Sequence, residues 1–422
     1  MLYGNELVDA LKQSSVSGYG KTMFVYDDRI LPKRDQSTFG IGGKLAVESG
    51  AWDGFKAKAA YYITSDLGLR HANLKKTDAY MFDVDKTPYS VLGEASIEYK
   101  EGSSTLLFGR QEIDSPIIST YDYRIIPNLF EAYTFTNKAL PHTAITLSFI
   151  SKMSGLDGLV SFKHFRSMSQ QTYTSLAMSS DLQMIDSNDG DTIDISRISG
   201  DQGVIMSGIV YENSIKIQGW NYYCRDVLDE FYLDMAFPYE LSPTLISRFE
   251  VQGYGVRDIG QFKDFLHHLG RNGSYELFGT KVSLESKEVG LTIALAYNYF
   301  TGDKNTVTAF GNWGGYPEYV AIPYMFAQDT SVSALAKSQM GKLSFKYNLA
   351  KAGLPNQTLI GGYSIIDLDE RIMPNSDIDI INFVYKAKIS DPLGVKIQYE
   401  WRDSPNYRYA DDMLTLSATY AF

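Results

Sequence analysis

The chain has 422 residues, 44% of them hydrophobic, with 31 Tyr and 22 Phe against a single Cys. A formal net charge of -11 and the lack of any dense basic run set nucleic acid aside as a partner. Cys224 alone can form no internal disulfide and no cysteine-based metal site, and no stretch reaches the roughly 20 apolar residues of a membrane-crossing helix.

From the N-terminus, "MLYGNELVDALKQSSVSG" has no basic region followed by an apolar core, so it is not a secretory signal. Residues 1–16 read as a short leading segment and 17–422 as a single domain. Strand-like alternation then begins. In 55–62, Phe55, Ala57, Ala59 and Tyr61 oppose Lys56 and Lys58. In 91–100, Val91, Gly93, Ala95, Ile97 and Tyr99 oppose Glu94, Ser96, Glu98 and Lys100. The same period recurs in 342–349, with Lys342 and Lys346 in the polar phase, and in 394–403, with Lys396 and Arg402 in it. A short amphipathic helix is predicted at 259–270, with Phe262, Phe265, Leu266 and Leu269 on one face.

The connections alternate as well. Short turns fall at 49–54, 100–104, 137–143, 212–214, 238–243, 286–290, 350–357 and 390–394. Longer polar stretches fall near 27–38, 64–90, 111–129, 153–203, 224–228, 255–274, 301–330, 367–377 and 404–410. Together they predict an all-β, antiparallel transmembrane barrel of about 18 strands, with both termini on the short-turn side. A soluble β-sandwich also alternates, but the last strand, "MLTLSATYAF", separates the two. It sets Leu414, Leu416, Ala418, Tyr420 and Phe422 on one face, an aggregation-prone edge in water and a lipid-facing row in a closed barrel.

Residues 109–135 are the least regular part of the pattern. Two prolines and scattered apolar residues fit neither a helix nor a strand, while Ile117, Ile118, Ile125, Ile126, Leu129 and Phe130 argue against disorder. A folded loop that packs on something is expected. "GRQEIDSPIISTYDYRIIPNLFEAY" resembles the third-loop motif of OprD-type outer-membrane porins. There a strand ending in Gly-Arg/Lys-Gln leads into Asp-x-Arg-aliphatic-aliphatic-Pro; here the positions are Gly109, Arg110, Gln111, Asp122, Arg124, Ile125, Ile126 and Pro127. "FGNWGGYPEYVAIPYMF" (310–326) is similar to a Gly- and aromatic-rich loop of the same family. The resemblance is specific over about 30 residues.

It implies an 18-stranded, substrate-selective pore in the bacterial outer membrane, with residues 1–16 periplasmic and the export signal removed. It also implies that the third loop, about 111–129, folds inward as the constriction. Arg110, Glu112, Asp114, Asp122, Arg124 and Glu131 would line it. Alternation places Lys56, Lys58, Lys342, Lys346, Lys386, Lys388, Lys396 and Arg402 on the inner wall, with Arg248 less clearly patterned, since a charge facing lipid costs about 2–4 kcal/mol at the midplane. These cations would guide carboxylates or pair with Glu94, Glu98 and Glu400 as plain lining. The family's wall row is mostly Arg and this one mostly Lys, which lacks the bidentate fork.

The expected function is passive, partly selective diffusion of small carboxylate-bearing or zwitterionic solutes such as amino acids or short peptides. The alternatives are a general size-limited porin or an outer-membrane barrel enzyme or adhesin. No GxSxG, HExxH or phosphate-binding Gly-Lys motif supports an enzyme. The acidic segment 186–201 departs from an EF-hand pattern at Gly190 and reads as a solvated loop. No cofactor or metal is expected. Expected partners are the solutes, outer-membrane lipid and lipopolysaccharide, and barrel-insertion machinery reading Phe422, with the barrel a monomer or weak trimer.

Overall fold

Strands of eight to fifteen residues that alternate in polarity have the length needed to cross a bilayer at a tilt. After a helix α1 (Leu2–Lys12) come β1 (Ser15–Arg29), β2 (Gln36–Glu48), β3 (Phe55–Ser65), β4 (Ser90–Glu101), β5 (Ser104–Gln111), β6 (Leu129–Asn137) and β7 (Thr143–Ser154). A two-residue β8 (Arg166–Ser167) and a short α2 (Ile195–Ser199) precede β9 (Val204–Glu212), β10 (Lys216–Cys224), β11 (Leu228–Ser242) and β12 (Leu245–Asp258). Then follow α3 (Gly260–His268), β13 (Tyr275–Ser286), β14 (Leu291–Phe300), β15 (Gln339–Asn348), β16 (Gln357–Asp367), β17 (Ile378–Lys388), β18 (Leu393–Asp403) and β19 (Asp411–Ala421). The computed structural model describes residues 2–29, 35–77, 81–83, 85–120, 124–155, 165–170, 195–308, 311–320, 333–406 and 409–422.

Each strand pairs antiparallel with the next, β7 pairing with β9 past the small β8. β1 closes the ring on β19, from Tyr19↔Ala421 to Arg29↔Asp411. The result is the predicted closed barrel of 18 strands. Closure leaves no strand edge, which is what lets a sheet sit in hydrocarbon. The turns gather at one end with α1 and the C-terminus, and the loops gather at the other. The Ala10 carbonyl accepts from the Gly50 amide at 3.0 Å, so α1 rests on the first turn.

The outer phase of the strands carries exposed Leu45, Ile63, Ile97, Phe149, Phe231, Leu295 and Phe383. Such a belt is stable only against lipid. No described helix is long and apolar enough to cross a membrane; the strands do so. At the C-terminus, Phe422 exchanges two backbone hydrogen bonds with Gly18, at 3.0 and 3.1 Å, which fixes the last residue onto β1.

Two details differ from the alternation read in sequence. A register shift between Ala60 and Tyr61 pairs them with Glu94 and Leu92, leaving Gly93 as a bulge. Val91 therefore turns inward with Glu94, and Leu92 faces outward. The predicted turn at 238–243 is mostly strand, because β11 runs to Ser242 and a second register shift absorbs the bend. The predicted helix forms as α3, burying Phe262 and Leu266 and leaving Leu269 exposed.

Inside the ring lie two apolar clusters, both toward the loop end. One joins Ile117, Ile118 and Trp313 to Tyr222, Val256 and Phe300. The other joins Ile125, Ile126 and Leu129 to Met23, Val25 and Tyr62. Loop residues supply much of this core, so the loops are folded into the barrel mouth.

Candidate functional site

The third loop (112–128) takes its path from its own apolar residues. Ile113, Ile117, Ile118, Ile125 and Ile126 are all buried, and they have only the barrel interior in which to escape water. On one side the Ile117 amide donates to the Tyr222 hydroxyl at 3.3 Å, and that hydroxyl donates to Ser115 Oγ at 3.1 Å. On the other side Tyr19 donates to the Ile125 carbonyl at 2.8 Å and Lys21 Nζ to the Arg124 carbonyl at 2.9 Å. Tyr19 and Lys21 lie on β1 and Tyr222 on β10, walls separated by β2–β7 and β9 in one direction and β11–β19 in the other. The loop thus reaches nearly opposite walls, as expected for an inward-folded third loop.

Two further contacts fix it. Glycines at Gly40 and Gly42 make room for Ile125, whose methyls would lie 2.8 and 2.7 Å from a Cβ at those positions. The amides of Trp313 and Gly315 donate to the Ile117 carbonyl at 3.1 and 3.0 Å, and the Ser119 amide to the Trp313 carbonyl at 3.2 Å. The Trp313 indole donates to the Met168 carbonyl at 3.0 Å. The Trp-Gly-Gly part of 310–326 is therefore a backbone partner of the third loop; Phe310 and residues 321–326 lie outside the described residues.

Beside the loop, interior charges are held in a network. Glu94 Oε1 lies 2.5 Å from Lys44 Nζ, and its Oε2 2.5 Å from Lys58 Nζ. Lys44 also meets Glu112 Oε1 at 3.0 Å, and Tyr62 donates to both Glu94 and Glu112. Lys56 pairs with Glu48 at 3.1 Å. Lys44 escaped the sequence reading, although "FGIGGKLAVE" alternates and puts Lys44 and Glu48 in one phase.

Other expected constriction residues sit elsewhere. The ladder pairs Arg110 with Ala95 and Glu131, on the face of exposed Phe108 and Tyr133. There Arg110 Nε lies 3.7 Å from Glu131, Lys152 pairs with Glu131 at 2.9 Å, and the Arg110 guanidinium stacks 4.2 Å above the Phe165 ring. Arg110 and Glu131 therefore belong to the outer face near the loop end, not to the interior. The reason is phase: inward Gln111 leaves its neighbour Arg110 pointing out. Asp114 is exposed and accepts from Ser119 Oγ at 3.3 Å. Arg124 is buried, donating to Asn128 Oδ1 at 2.7 Å, so it braces the loop rather than lining a path. Asp122 lies outside the described residues.

The basic residues of β15–β18 keep the inward phase: Lys342, Lys346, Lys386, Lys388 and Lys396 share it with Ser344, Asn382 and Gln398. Arg402 shares the phase but not the role. It is 3% exposed and clamped by Glu400 at 2.8 Å and Asp411 at 2.9 Å, a buried structural ion group rather than a wall cation. Lys388 pairs with turn residue Asp391 at 2.9 Å. Arg248 is exposed in the inward phase of β12, two residues from Glu250, which pairs with Lys281 at 3.0 Å.

An acidic wall on β11 and β12 was missed, though "LDEFYLDMAF" alternates Glu230, Tyr232 and Asp234 against Phe231, Leu233 and Met235. Glu318 reaches it from the loop 301–338, accepting from Tyr254 at 2.9 Å, and Tyr319 donates to Asp234 at 2.6 Å. Burial raises the Glu318 carboxyl above its ordinary value, and the Tyr254 bond only partly offsets this. Among the described residues no cluster of three His, Cys, Asp or Glu side chains could hold a metal; residues 186–194 of the acidic segment lie outside them.

A closed ring with a lipid-facing belt, a charged interior and a loop folded across it defines a transmembrane β-barrel with an inward-folded loop. Solved structures of the OprD porin family share this fold over nearly the whole chain. Pseudomonas aeruginosa OccK9 (OpdG) matches at TM-score 0.77 and 16% identity, covering 98% of this chain and 99% of its own. Acinetobacter baumannii OccAB1 matches at 0.74 and 12%, covering 98% and 97%. Pseudomonas aeruginosa OccD3 (OpdP) matches at 0.71 and 14%, covering 98% and 92%. No protein-family model and no curated protein matches the sequence.

Proposed function

We propose that the protein is an outer-membrane porin for passive, partly selective diffusion of small carboxylate-bearing or zwitterionic solutes. One observation carries the reading: the third loop spans the interior between β1 and β10, leaving solutes to pass beside walls of opposite charge. Among the described residues Lys342, Lys346 and Lys386 are in no salt bridge, and their phase directs their charge into the lumen. Water in a narrow pore is scarcer than in bulk, and each such cation attracts a carboxylate more strongly than it would on an open surface. Glu112 and Asp114 in the loop, and Asp234 and Glu250 on β11 and β12, supply acids for an amino end. Each contact must stay weak, or the solute would bind without leaving.

The test is uptake into liposomes of an amino acid and its amide-capped analogue, by wild type and by Lys342→Gln/Lys346→Gln. Faster entry of the free carboxylate, with the difference lost in the variant, supports the reading. Equal rates for both solutes in both proteins would make this a general size-limited pore. No uptake of either would return the choice to a barrel enzyme or adhesin.

A further inference from the structure

On the outer wall, near the loop end, the belt that faces lipid is interrupted by a groove of roughly 650 Å³ across β11, β12 and β13. Its floor is Gly253 and Gly255, two consecutive outward positions of β12. Leu233 and Phe231 stand beside them on β11, and Phe278 stands opposite Gly253 on β13. Phe231 and Phe278 are 54% and 53% exposed, so the groove has raised apolar walls and a bare floor. Toward the loops the outward phase turns polar, with Asp229 facing Arg257 and Glu276 facing Gly255. A charge on the lipid face costs about 2–4 kcal/mol at the midplane and about 0–1 kcal/mol near the interface. These charges therefore mark the headgroup level, and the groove descends from it into hydrocarbon.

Glycine weakens a strand, and inside one it marks a bulge, a close approach of backbone or the approach of a ligand. Neither bulge nor crowding accounts for Gly253 and Gly255. The register runs unbroken through both of them on each side, and neither has a positive φ. A Cβ at Gly253 would find its nearest neighbour, the Leu277 carbonyl, at 3.4 Å, and one at Gly255 would find the Glu276 side chain at 3.7 Å. Both are ordinary contacts. At Gly42 and Gly43, by contrast, a Cβ would collide with the carbonyls of Ile63 and Tyr19. The rim is unfinished as well. Asp229 faces Arg257 across the ladder but takes its hydrogen bond from Asn221 at 2.7 Å. Among the described residues the Arg257 side chain has no salt bridge and no hydrogen bond.

We propose that this groove is a binding site for one phospholipid molecule whose headgroup carries both a phosphate and a free amine. An acyl chain lies along Gly253 and Gly255 between the Phe231 and Phe278 rings. The Arg257 guanidinium takes the phosphate, which its planar fork suits, and Asp229 or Glu276 takes the ammonium. Two carboxylates beside the arginine disfavour a headgroup with negative charge alone. A second barrel is the poorer occupant, because its own apolar belt at this level would cover Arg257 and Glu276 without pairing them. The volume falls in the range of small-ligand sites. The site lies on the outside of the wall, so it is independent of which solute passes through the pore.

The experiment is native mass spectrometry of the barrel released from detergent, titrated with phosphatidylethanolamine, phosphatidylglycerol or a bisphosphorylated lipid A. Two variants are compared with wild type. Gly253→Leu/Gly255→Leu fills the groove with side chains that both strand and lipid accept, and Arg257→Gln removes the phosphate partner. Folding of each is checked by the heat-dependent shift of the barrel on gels; should the filled groove prevent folding, Arg257→Gln decides alone. The expected result is one phosphatidylethanolamine retained at a lower concentration than either other lipid, with about tenfold more needed in either variant. Single-channel conductance should be the same in all three proteins, since neither change touches the interior. Equal retention of the three lipids, or unaltered retention in a folded variant, overturns the proposal. Preference for phosphatidylglycerol or lipid A overturns it through the headgroup, and a second barrel retained in place of lipid overturns it through the occupant. A barrel that holds the lipid but passes no current keeps this site and refutes the porin reading.

Discussion

Tyr222 and Ile117 meet across the barrel interior, the tyrosine hydroxyl on β10 taking the amide of a residue in the third loop at 3.3 Å. Both are buried, and the same hydroxyl donates to Ser115 at 3.1 Å. Tyr222→Phe keeps the ring in the apolar cluster and removes both bonds. Leaving the Ile117 amide unsatisfied should cost about 1–3 kcal/mol, spent locally on the loop. The expected outcome is larger open-channel current noise with an unchanged gel shift of the folded barrel. Noise equal to wild type would mean that the Trp313 and Gly315 bonds hold the loop alone.

Deleting 114–124 should raise single-channel conductance and blunt discrimination between solutes, because that stretch carries the contacts to β10, to the Trp313 loop and to β1. Conductance unchanged in an inserted barrel would place the narrowest point outside the third loop.

Arg402 is the expected weak point of the β18–β19 wall. Arg402→Gln leaves the buried Asp411 facing Glu400 without their shared cation, at a cost of about 3–5 kcal/mol. The companion change Asp411→Asn should restore part of that loss. A double-mutant cycle on urea unfolding in detergent reads the coupling; additive losses would mean that the clamp carries no joint energy.

At the β4 bulge, a side chain on Gly93 would meet Leu129 at 2.4 Å and the Tyr62 ring at 2.6 Å. Gly93→Leu should therefore destabilise the barrel by about 1–3 kcal/mol and disturb the Tyr62 bonds to Glu94 and Glu112. Urea midpoints measure the first effect. A fully stable variant would show that the bulge can relax.

Glu318 gives a pH dependence with a definite sign. Its carboxyl in the folded loop titrates above the ordinary 4.5 through burial, which a backbone hydrogen bond and the one from Tyr254 offset only in part. The folded state then holds a proton that the open loop releases, so loop stability is full below pH 4.5 and falls as pH rises from there through the raised value. Hydrogen exchange of 311–320, corrected for its intrinsic pH dependence, should show more frequent opening at pH ~8 than at pH ~5. Glu318→Gln keeps an acceptor for Tyr254 and should remove the difference. An identical pH response in the variant would assign it to another group.

Strand number, closure, the lipid-facing last strand and the inward course of the third loop were all legible in the sequence. The reason is that a wall one residue thick between lipid and water forces a period of two, and Phe383 or Leu414 cannot change sides without cost. The alternation also assigned Lys56, Lys58, Lys342, Lys346, Lys386, Lys388 and Lys396 to the inner phase. It would have found Lys44 and Glu230 had it been followed through β2 and β11. What it could not fix was phase at irregularities and pairing across distance. The bulge at Gly93 turned Val91 inward, and Arg110 and Glu131, adjacent in sequence to inward Gln111 and Phe130, fell outside. Whether a cation faces the lumen or is clamped depends on partners far along the chain: Arg402 was settled by Asp411 across a ladder, and Lys44 by Glu94 and Glu112. Those contacts are set by strand register and loop docking, which the period of a single strand does not contain.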